Sequence, residues 1–384
     1  MFDSPRPLDR LLGIAAAARA SDVHLTADQV PLMRVDGDLV PVPEHGEPLT
    51  MNWLEPALSG MMPDERFREF MESGEVDLSY SVAGVGRFRV NVYRQLGAVA
   101  VALRLIPSTV FSLDELGAPP IIREFALKPR GLVLVTGPTG SGKSTTLTAM
   151  VDIINSTLPA HVITVEDPIE FQHTSRTALI HQREIGADTA SFSEALRRVL
   201  RQDPDVILVG ELRDPESIST ALSAAETGHL VLSTLHTQGA AKSINRIVDA
   251  FPSHQQDQIR SQLGDTLQGI ISQSLLPRAQ TTGRTIATEV LVNTSAVANM
   301  IREGQIAQLY SALQSGSAIG MHTLDQDLKR LVEEGTISQQ VARAYAVDPQ
   351  SLDDVRVRAR DFDAEAWGAQ ADSWQLGRGA ESWR

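Results

Sequence analysis

The sequence predicts an α/β protein with two domains: a small α+β domain at the N-terminus, then a domain built on a parallel sheet with helices on both faces. Its 384 residues are enough for two ordinary domains, each with its own core. Residues 20–105 contain short runs of alternating apolar and polar residues, which is typical of strands. From about residue 131, apolar runs alternate with helical periodicity, which indicates a covered parallel sheet.

The N-terminal domain is predicted at residues 1–106. Two short apolar segments, Pro31–Val35 and Leu39–Val42, flank the turn Asp36-Gly37-Asp38, which is a strong hairpin signal. Arg87–Arg94 alternates strictly between polar and apolar residues, as a strand with one buried face does. These elements predict a sheet with helices around it.

A stretch rich in Pro and turn-forming residues, 107–120, predicts a linker, and the second domain is expected at 121–350. After about residue 240 the chain is predicted to be mainly helical, and residues 351–384 show no periodicity and are expected to form a flexible tail. Four buried strands are predicted in this domain: Leu132–Val135, Val162–Val165, Val206–Val209 and Leu230–Leu232.

Two helices between these strands carry clear start signals. Ser191 and Glu194 have the spacing of a capping box ahead of a run with helical periodicity. Asp214 is a predicted N-cap, Pro215 occupies the first helical position, and Gly228 lies just past the end.

Composition excludes several classes of function. There is no cysteine, so disulfides, thiol catalysis and cysteine-ligated metals are excluded. The net charge of −14 argues against non-specific binding to nucleic acid or anionic lipid. No apolar run approaches the roughly 20 residues that a membrane span needs. We therefore expect no nucleic-acid partner and no direct membrane insertion.

The strongest motif lies between the predicted strand Leu132–Val135 and a helix. It matches GxxxxGK[ST], the phosphate-binding loop, in the context that the motif requires. Backbone N–H groups of such a loop wrap phosphates, Lys143 is expected to reach the β and γ phosphates, and Ser144 to hold Mg²⁺. The candidate nucleotide-binding residues are Gly137, Pro138, Thr139, Gly140, Ser141, Gly142, Lys143, Ser144 and Thr145.

The next two predicted strands also end in acidic residues. Since ligands of α/β proteins bind beyond the carboxyl ends of the strands, these acids are expected near the phosphate loop. Glu166-Asp167-Pro168-Ile169-Glu170 offers acids that could orient a water or a metal, although a solvated acidic turn is the alternative. Glu211 stands where a Walker B acid is expected, and glutamate in place of aspartate suggests Mg²⁺ contact through water.

Two histidines, His229 and His236, flank the fourth predicted strand. Their spacing of seven fits no common zinc pattern. A buried structural histidine is one interpretation of each, and an imidazole that reports hydrolysis near the γ-phosphate is the other.

Taken together, these segments resemble the secretion and pilus ATPases of the type II and type IV systems. The resemblance covers roughly residues 20–345. In the N-terminal region it rests on SDVHLTADQVPLMRVDGDL and GRFRVNVYRQ. In the second domain it rests on the Walker A segment GPTGSGKST, the Asp box ITVEDPIE, QREIG, the Walker B segment LVGELRD and the His box TGHLVLSTLHT.

This resemblance implies a PAS-like N-terminal domain and a RecA-like P-loop motor domain that binds ATP and Mg²⁺. It also implies a homohexameric ring with nucleotide between subunits. The ring would be cytoplasmic and peripheral at the inner face of the cytoplasmic membrane, where an inner-membrane pilus platform protein is the expected partner.

The resemblance also implies roles for individual residues. Lys143 and Ser144 would bind ATP and Mg²⁺, Glu170 would be the general base, and Glu211 would support the metal. His229 and His236 would take the role of the His box.

Two arginines of the N-terminal domain, Arg94 and Arg104, match family arginines that approach the phosphates when the domains close. An arginine placed on the γ-phosphate would couple hydrolysis to domain movement. Ordinary surface arginines are the alternative from the sequence alone.

Within the family, the sequence favours the branch that powers pilus retraction. Residues 296–303 read AVANMIRE, close to the retraction motif AIRNLIRE, with Ala298 in place of its arginine, and GMHTLDQ at 320–326 is also similar. The tetracysteine element common in assembly and secretion relatives is impossible here. An assembly ATPase, an accessory retraction paralogue, a non-hydrolysing nucleotide-binding regulator and a nucleic-acid motor remain the alternatives.

Overall fold

A computed structural model of the chain describes residues 6–35, 37–107, 110–280 and 283–355. They form one six-stranded sheet in the N-terminal region and one seven-stranded sheet in the remainder. The protein is therefore of mixed α/β class, with an α+β domain preceding the domain that carries the phosphate loop.

The N-terminal domain is an antiparallel sheet with three helices. Its elements are α1 (Pro7–Ala17), β1 (Asp22–Thr26), β2 (Leu32–Val35), β3 (Asp38–Pro41), α2 (Met51–Met61), α3 (Asp64–Ser73), β4 (Glu75–Val82), β5 (Gly86–Gln95) and β6 (Ala98–Ile106). The strand order is β3-β2-β1-β6-β5-β4. The predicted hairpin is confirmed by the pairing of β2 with β3, although Asp36 in its turn lies outside the described residues.

Alternation along β5 produces the core of this domain, as its sequence predicts. Phe88, Val90 and Val92 are buried on one face of the strand, and they pack in one cluster with Leu11 of α1 and Phe70 of α3. Burial of these side chains on one face is what holds the three helices against the sheet.

The rest of the described chain alternates strands and helices. Its elements are α4 (Leu113–Leu116), α5 (Ile121–Ala126), β7 (Gly131–Thr136), α6 (Lys143–Thr157), β8 (His161–Glu166), β9 (Leu179–Glu184), α7 (Phe192–Val199), β10 (Val206–Val209), α8 (Pro215–Glu226), β11 (Leu230–Leu235), α9 (Ala240–Asp249), α10 (Ser253–Thr266), β12 (Leu267–Pro277), β13 (Arg284–Val292), α11 (Ser295–Arg302), α12 (Leu309–Ser315), α13 (Leu324–Glu333) and α14 (Gln339–Tyr345).

The second sheet is parallel except for its edge strand β13, and its order is β13-β12-β7-β11-β10-β8-β9. Strand β7 is a continuous apolar run because both of its faces are covered by helices. Leu132 and Leu134 pack into the helix layer on one face, and Val133 and Val135 pack into the layer on the other. The predicted sheet covered on both faces is confirmed.

Helix caps follow the sequence signals, with one difference. Asp214 caps α8 by accepting a hydrogen bond from the Ser217 N–H, as predicted. Ser191 caps α7 through the Glu194 N–H. The reciprocal half of the predicted capping box is not formed, because the Glu194 carboxylate pairs with Arg198 one turn later.

The expectation of a mainly helical region after residue 240 missed two long strands, β12 and β13. Strand β12 lies next to β7 and extends the sheet. It was missed because it carries buried polar residues in its second half, Ser272, Gln273 and Ser274, which break the apolar pattern of a covered strand. Strand β9 was also absent from the predicted set.

Parts of the predicted linker and tail are packed. Ser112 and Glu115 form a capping box for α4, and Leu113 is buried in the core of the second domain. Leu352 is buried beside α13 and α14, whereas residues 356–384 lie outside the described residues. The domain boundaries themselves stay predictions.

The two domains meet at a buried carboxylate on β9. Glu184 is 5% exposed and accepts hydrogen bonds from the hydroxyl of Ser79 on β4 and from Arg87 Nη2 on β5 at 2.9 Å. The same carboxylate accepts from the backbone N–H of Ile169 at 3.2 Å. Nearby, Arg66 Nη2 donates to the Gly186 carbonyl at 2.7 Å. Glu184 thus joins the N-terminal sheet to the loop that follows β8.

Within the described ranges, no helix combines the length and the apolar character that crossing a bilayer requires.

Candidate functional site

The phosphate loop leaves the sheet at Thr136, the last residue of β7, and enters α6 at Lys143. Gly137 has φ +142°, and a Cβ there would stand 2.3 Å from the Gln273 carbonyl oxygen. Gly142 has φ +87°, the left-handed conformation that glycine adopts without strain. The loop therefore needs glycine at both positions to fit between β12 and the start of α6.

Lys143 lies at the centre of this loop and is 8% exposed. Its Nζ donates to the carbonyls of Gly137 and Pro138 at 2.9 and 3.0 Å. Burial lowers its pKa, while the carboxylates of Glu211 and Glu170 raise it. The ammonium group is thus held by the loop within the field of two acids that follow strands β8 and β10.

A cluster of charged side chains follows strands β10 and β11. Glu211 Oε2 accepts from Arg213 Nε at 2.8 Å and lies 3.2 Å from His236 Nε2. His236 Nδ1 lies 3.4 Å from the Thr139 hydroxyl, so this imidazole bridges Glu211 to the phosphate loop. Its side chain is 45% exposed, which leaves it accessible to a bound ligand.

Two acids at the carboxyl end of β8 occupy different environments: Glu166 is the last residue of the strand, and Glu170 lies in the loop after it. Glu166 accepts from the Thr164 hydroxyl at 2.6 Å and from Gln182 Nε2 at 3.3 Å, and burial raises the pKa of its carboxyl. Glu170 is exposed at the end of the same loop. Glu166 is therefore fixed by its neighbours, whereas the Glu170 carboxylate is accessible from the cavity.

These groups line a single cavity of about 470 Å³ at the carboxyl edge of the sheet. Ends of strands that are far apart in sequence converge there because parallel strands finish at the same edge. The predicted residues that line it are Thr139, Gly140, Gly142, Lys143, Ser144, Thr145, Glu170, Glu211 and His236.

Gly137, Pro138 and Ser141 belong to the phosphate loop without lining the cavity, and three further predicted site residues lie away from the loop. His229 precedes β11 at the amino edge of the sheet, where its Nδ1 is 3.0 Å from the Ala224 carbonyl. Arg94 lies over the Phe70 ring at 5.4 Å, and Arg104, with a side chain 70% exposed, pairs with Asp22 at 2.8 Å. All three have partners close to them, and none of the three lines the cavity of its own chain.

The structure also adds residues that sequence reasoning missed. Arg213 follows Glu211 in LVGELRD and lines the cavity, so the motif itself offered a signal. Leu275 and Arg284 reach the cavity from β12 and β13, which were not predicted as strands. Gln273 contacts the phosphate loop from β12, and no local motif identifies it.

The loop suits a nucleotide phosphate. Gly137, Gly140 and Gly142 all have positive φ, so the loop has the compact shape that glycine permits, and the Ser141 hydroxyl is buried with no hydrogen-bond partner among the described residues. Backbone N–H groups at the start of α6 and the Lys143 ammonium supply the positive field that phosphate needs. For Mg²⁺, the Ser144 hydroxyl and the Glu211 carboxylate on the same cavity are oxygen ligands of the type that this ion prefers.

The sequence pattern of the family described as "Type II/IV secretion system protein" matches residues 6–355. The chain belongs to this family. The resemblance inferred from its motifs is confirmed.

Individual relatives agree over nearly the whole chain. The type IV pilus retraction ATPase PilT of Pseudomonas aeruginosa is 48% identical over 345 residues, which are 90% of this chain and 99% of that protein. A twitching motility protein of Neisseria gonorrhoeae is 49% identical over 347 residues, 88% of this chain and 92% of that protein. The crystal structure of the pilus retraction motor PilT with bound ADP superposes with a TM-score of 0.82 at 44% identity, and covers 90% of this chain and 98% of that one.

Proposed function

We propose that this protein is an ATPase that powers retraction of a type IV pilus. The observation that carries the proposal is the convergence of Lys143, Glu170 and Glu211 on one cavity at the carboxyl edge of the parallel sheet. The similarity to PilT over almost the full length of both chains supports the link to pilus retraction.

In the proposed reaction, the phosphate loop and Lys143 bind the phosphates of ATP, and Ser144 and Glu211 are the residues that would hold Mg²⁺. When bound, Mg²⁺ would neutralise charge on the phosphates. Glu170, exposed on the cavity, takes a proton from the attacking water. His236 contacts both Glu211 and the loop, so it is placed to respond when the phosphate leaves.

The work would be done by a homohexameric ring of chains with a PAS-like N-terminal domain and a RecA-like motor domain. Arg94 and Arg104 lie outside the cavity of their own chain, so their predicted role requires domain closure or a neighbouring subunit. We place the ring in the cytoplasm, peripheral at the inner membrane, where a pilus platform protein would receive the movement.

The first test is the ATPase activity of the purified full-length protein. Lys143→Ala should reduce phosphate release by about 10³-fold, because the charge that develops on the phosphates loses its buried cation. Lys329→Ala is the matched control, since Lys329 is exposed on α13. A wild-type protein that binds ADP but releases no phosphate would instead support a nucleotide-binding regulator.

The second test separates retraction from assembly in cells. A deletion strain should keep its pili but lose twitching movement, and Lys143→Ala should fail to restore movement. Bald cells would reject retraction in favour of an assembly ATPase. Normal movement in the deletion strain would contradict a principal retraction role and favour an accessory paralogue.

A further inference from the structure

Gln273 lies where strand β12 passes the phosphate loop. Strand β12 pairs with β7 as far as Ser272 and Thr136, and Thr136 is the last residue before the loop begins. Gln273 is therefore the first residue of β12 alongside the loop. It is 1% exposed, and its side-chain amide is enclosed between the loop and helix α6.

Both polar atoms of this amide form hydrogen bonds. Nε2 donates to the Ser141 carbonyl at 2.7 Å, and Oε1 accepts from the Thr146 hydroxyl at 3.0 Å. Ser141 precedes Lys143 by two residues and Thr146 follows it by three, so one side chain connects the loop to the first turn of the helix on either side of Lys143.

The bond to Ser141 also fixes a neighbouring N–H group. The peptide unit between Ser141 and Gly142 is planar and trans, so its C=O and N–H point in opposite directions. Holding the carbonyl against Gln273 directs the Gly142 N–H away from Gln273, and Gly142 lines the cavity. Glycine tolerates many backbone conformations, so this orientation needs an outside constraint.

We propose that Gln273 is a positioning residue, which holds the phosphate loop in its nucleotide-binding shape by fixing the Ser141–Gly142 peptide. The proposal deepens the proposed function and rests on the same cavity. Gln273 touches no reacting atom. It acts through the orientation of a backbone N–H and of Lys143.

The chemistry of the contact requires an amide. A glutamate of the same shape would place a carboxylate oxygen against the Ser141 carbonyl oxygen and add a buried charge. A methionine would keep the volume and lose both hydrogen bonds. Thr146→Val would remove only the bond to Oε1 and leave the bond to Ser141.

The test is calorimetric titration of ADP into the full-length protein and its variants. Gln273→Met should weaken ADP binding by about tenfold, and Gln273→Glu should weaken it further. With ATP, KM should rise by a similar factor while kcat falls less, because the loop binds ground state and transition state alike.

The matched control is Thr288→Val. Thr288 pairs with Gln273 across β12 and β13, and its buried hydroxyl bonds to His322 and Asp327 instead of the loop. This variant should lose thermal stability and keep its affinity for ADP. Equal loss of ADP affinity in Thr288→Val would overturn the proposal, since the effect would then reflect general packing of β12.

An ADP affinity of folded Gln273→Met within about twofold of wild type would also overturn it. If Gln273→Met does not fold, Thr146→Val decides: it frees the Oε1 end of the amide, so the bond to Ser141 holds the loop less rigidly. A loss of about threefold in ADP affinity is expected, and an unchanged affinity would overturn the proposal. ADP binding is measured without turnover. A wild-type protein that does not hydrolyse ATP would defeat the proposed function and leave the Gln273 comparison intact.

Discussion

The two edges of the seven-stranded sheet, defined by the amino and the carboxyl ends of its parallel strands, carry similar residues in different environments. At the amino edge, His161 Nδ1 is 2.9 Å from the Asp203 carbonyl, and His229 Nδ1 is 3.0 Å from the Ala224 carbonyl. At the carboxyl edge, His236 bridges Glu211 and the phosphate loop while it lines the cavity. Position along a parallel strand therefore decides whether these histidines bond to a nearby backbone carbonyl or face a ligand cavity.

The largest effect at the carboxyl edge is expected at Glu170. Glu170→Gln keeps the shape of the side chain and removes the base, so ATP turnover should fall by about 10²–10⁴-fold while ADP affinity changes little. The measurement is steady-state phosphate release. Glu226→Gln is the control, because Glu226 ends α8 near the amino edge. Full activity in Glu170→Gln would assign the proton transfer to another group.

The histidines test the comparison most directly, since the same substitution can be made at both edges. His236→Gln should lower kcat by about tenfold, the size of one lost hydrogen bond at the site. His229→Gln should leave the kcat of the isolated chain unchanged. An equal loss of kcat from His229→Gln, with unchanged thermal stability, would show that this histidine acts in the site of a neighbouring subunit.

A smaller effect is expected from Glu166. Its folded-state pKa is raised by burial, so its protonated form is favoured in the folded protein. Its contribution to the free energy of unfolding is therefore present below the unfolded pKa and lost as pH rises through the folded pKa. Glutamine does not ionise, so the Glu166→Gln variant avoids the cost of a buried carboxylate. Its free energy of unfolding relative to wild type should therefore increase with pH.

Urea unfolding of both proteins at about pH 4.5 and about pH 8 measures this difference. A relative stability that is flat or decreasing with pH would show that Thr164 and Gln182 stabilise the carboxylate more than burial destabilises it. Glu226→Gln provides the reference for an exposed carboxylate.

Features that are local in sequence were predictable. The phosphate loop, the apolar strand that precedes it and the N-cap at Asp214 each depend on fewer than a dozen neighbouring residues, and the structure contains all three. The convergence of Glu170 and Glu211 on Lys143 was predictable as well, because it follows from the common direction of parallel strands.

Features that depend on sheet register were not predictable. Gln273 reaches the loop from a position 132 residues beyond Ser141. The polar residues on either side of it, Ser272 and Ser274, interrupt the apolar pattern by which a covered strand is predicted. Pairing of β12 with β7 is what places it there, and no spacing rule expresses that pairing. The roles of Arg94, Arg104 and His229 remain predictions, because they depend on contacts that one chain does not contain.

The contact at Glu184 couples the position of the N-terminal domain to the loop that follows β8. Its carboxylate is shared between Arg87 and Ser79 on one side and the Ile169 N–H on the other, one residue before Glu170. Rotation of the N-terminal sheet away from Glu184 therefore changes what holds the loop of the proposed base. By thermodynamic reciprocity, if the domain arrangement changes nucleotide affinity through this loop, bound nucleotide shifts the equilibrium between domain arrangements by the same free energy.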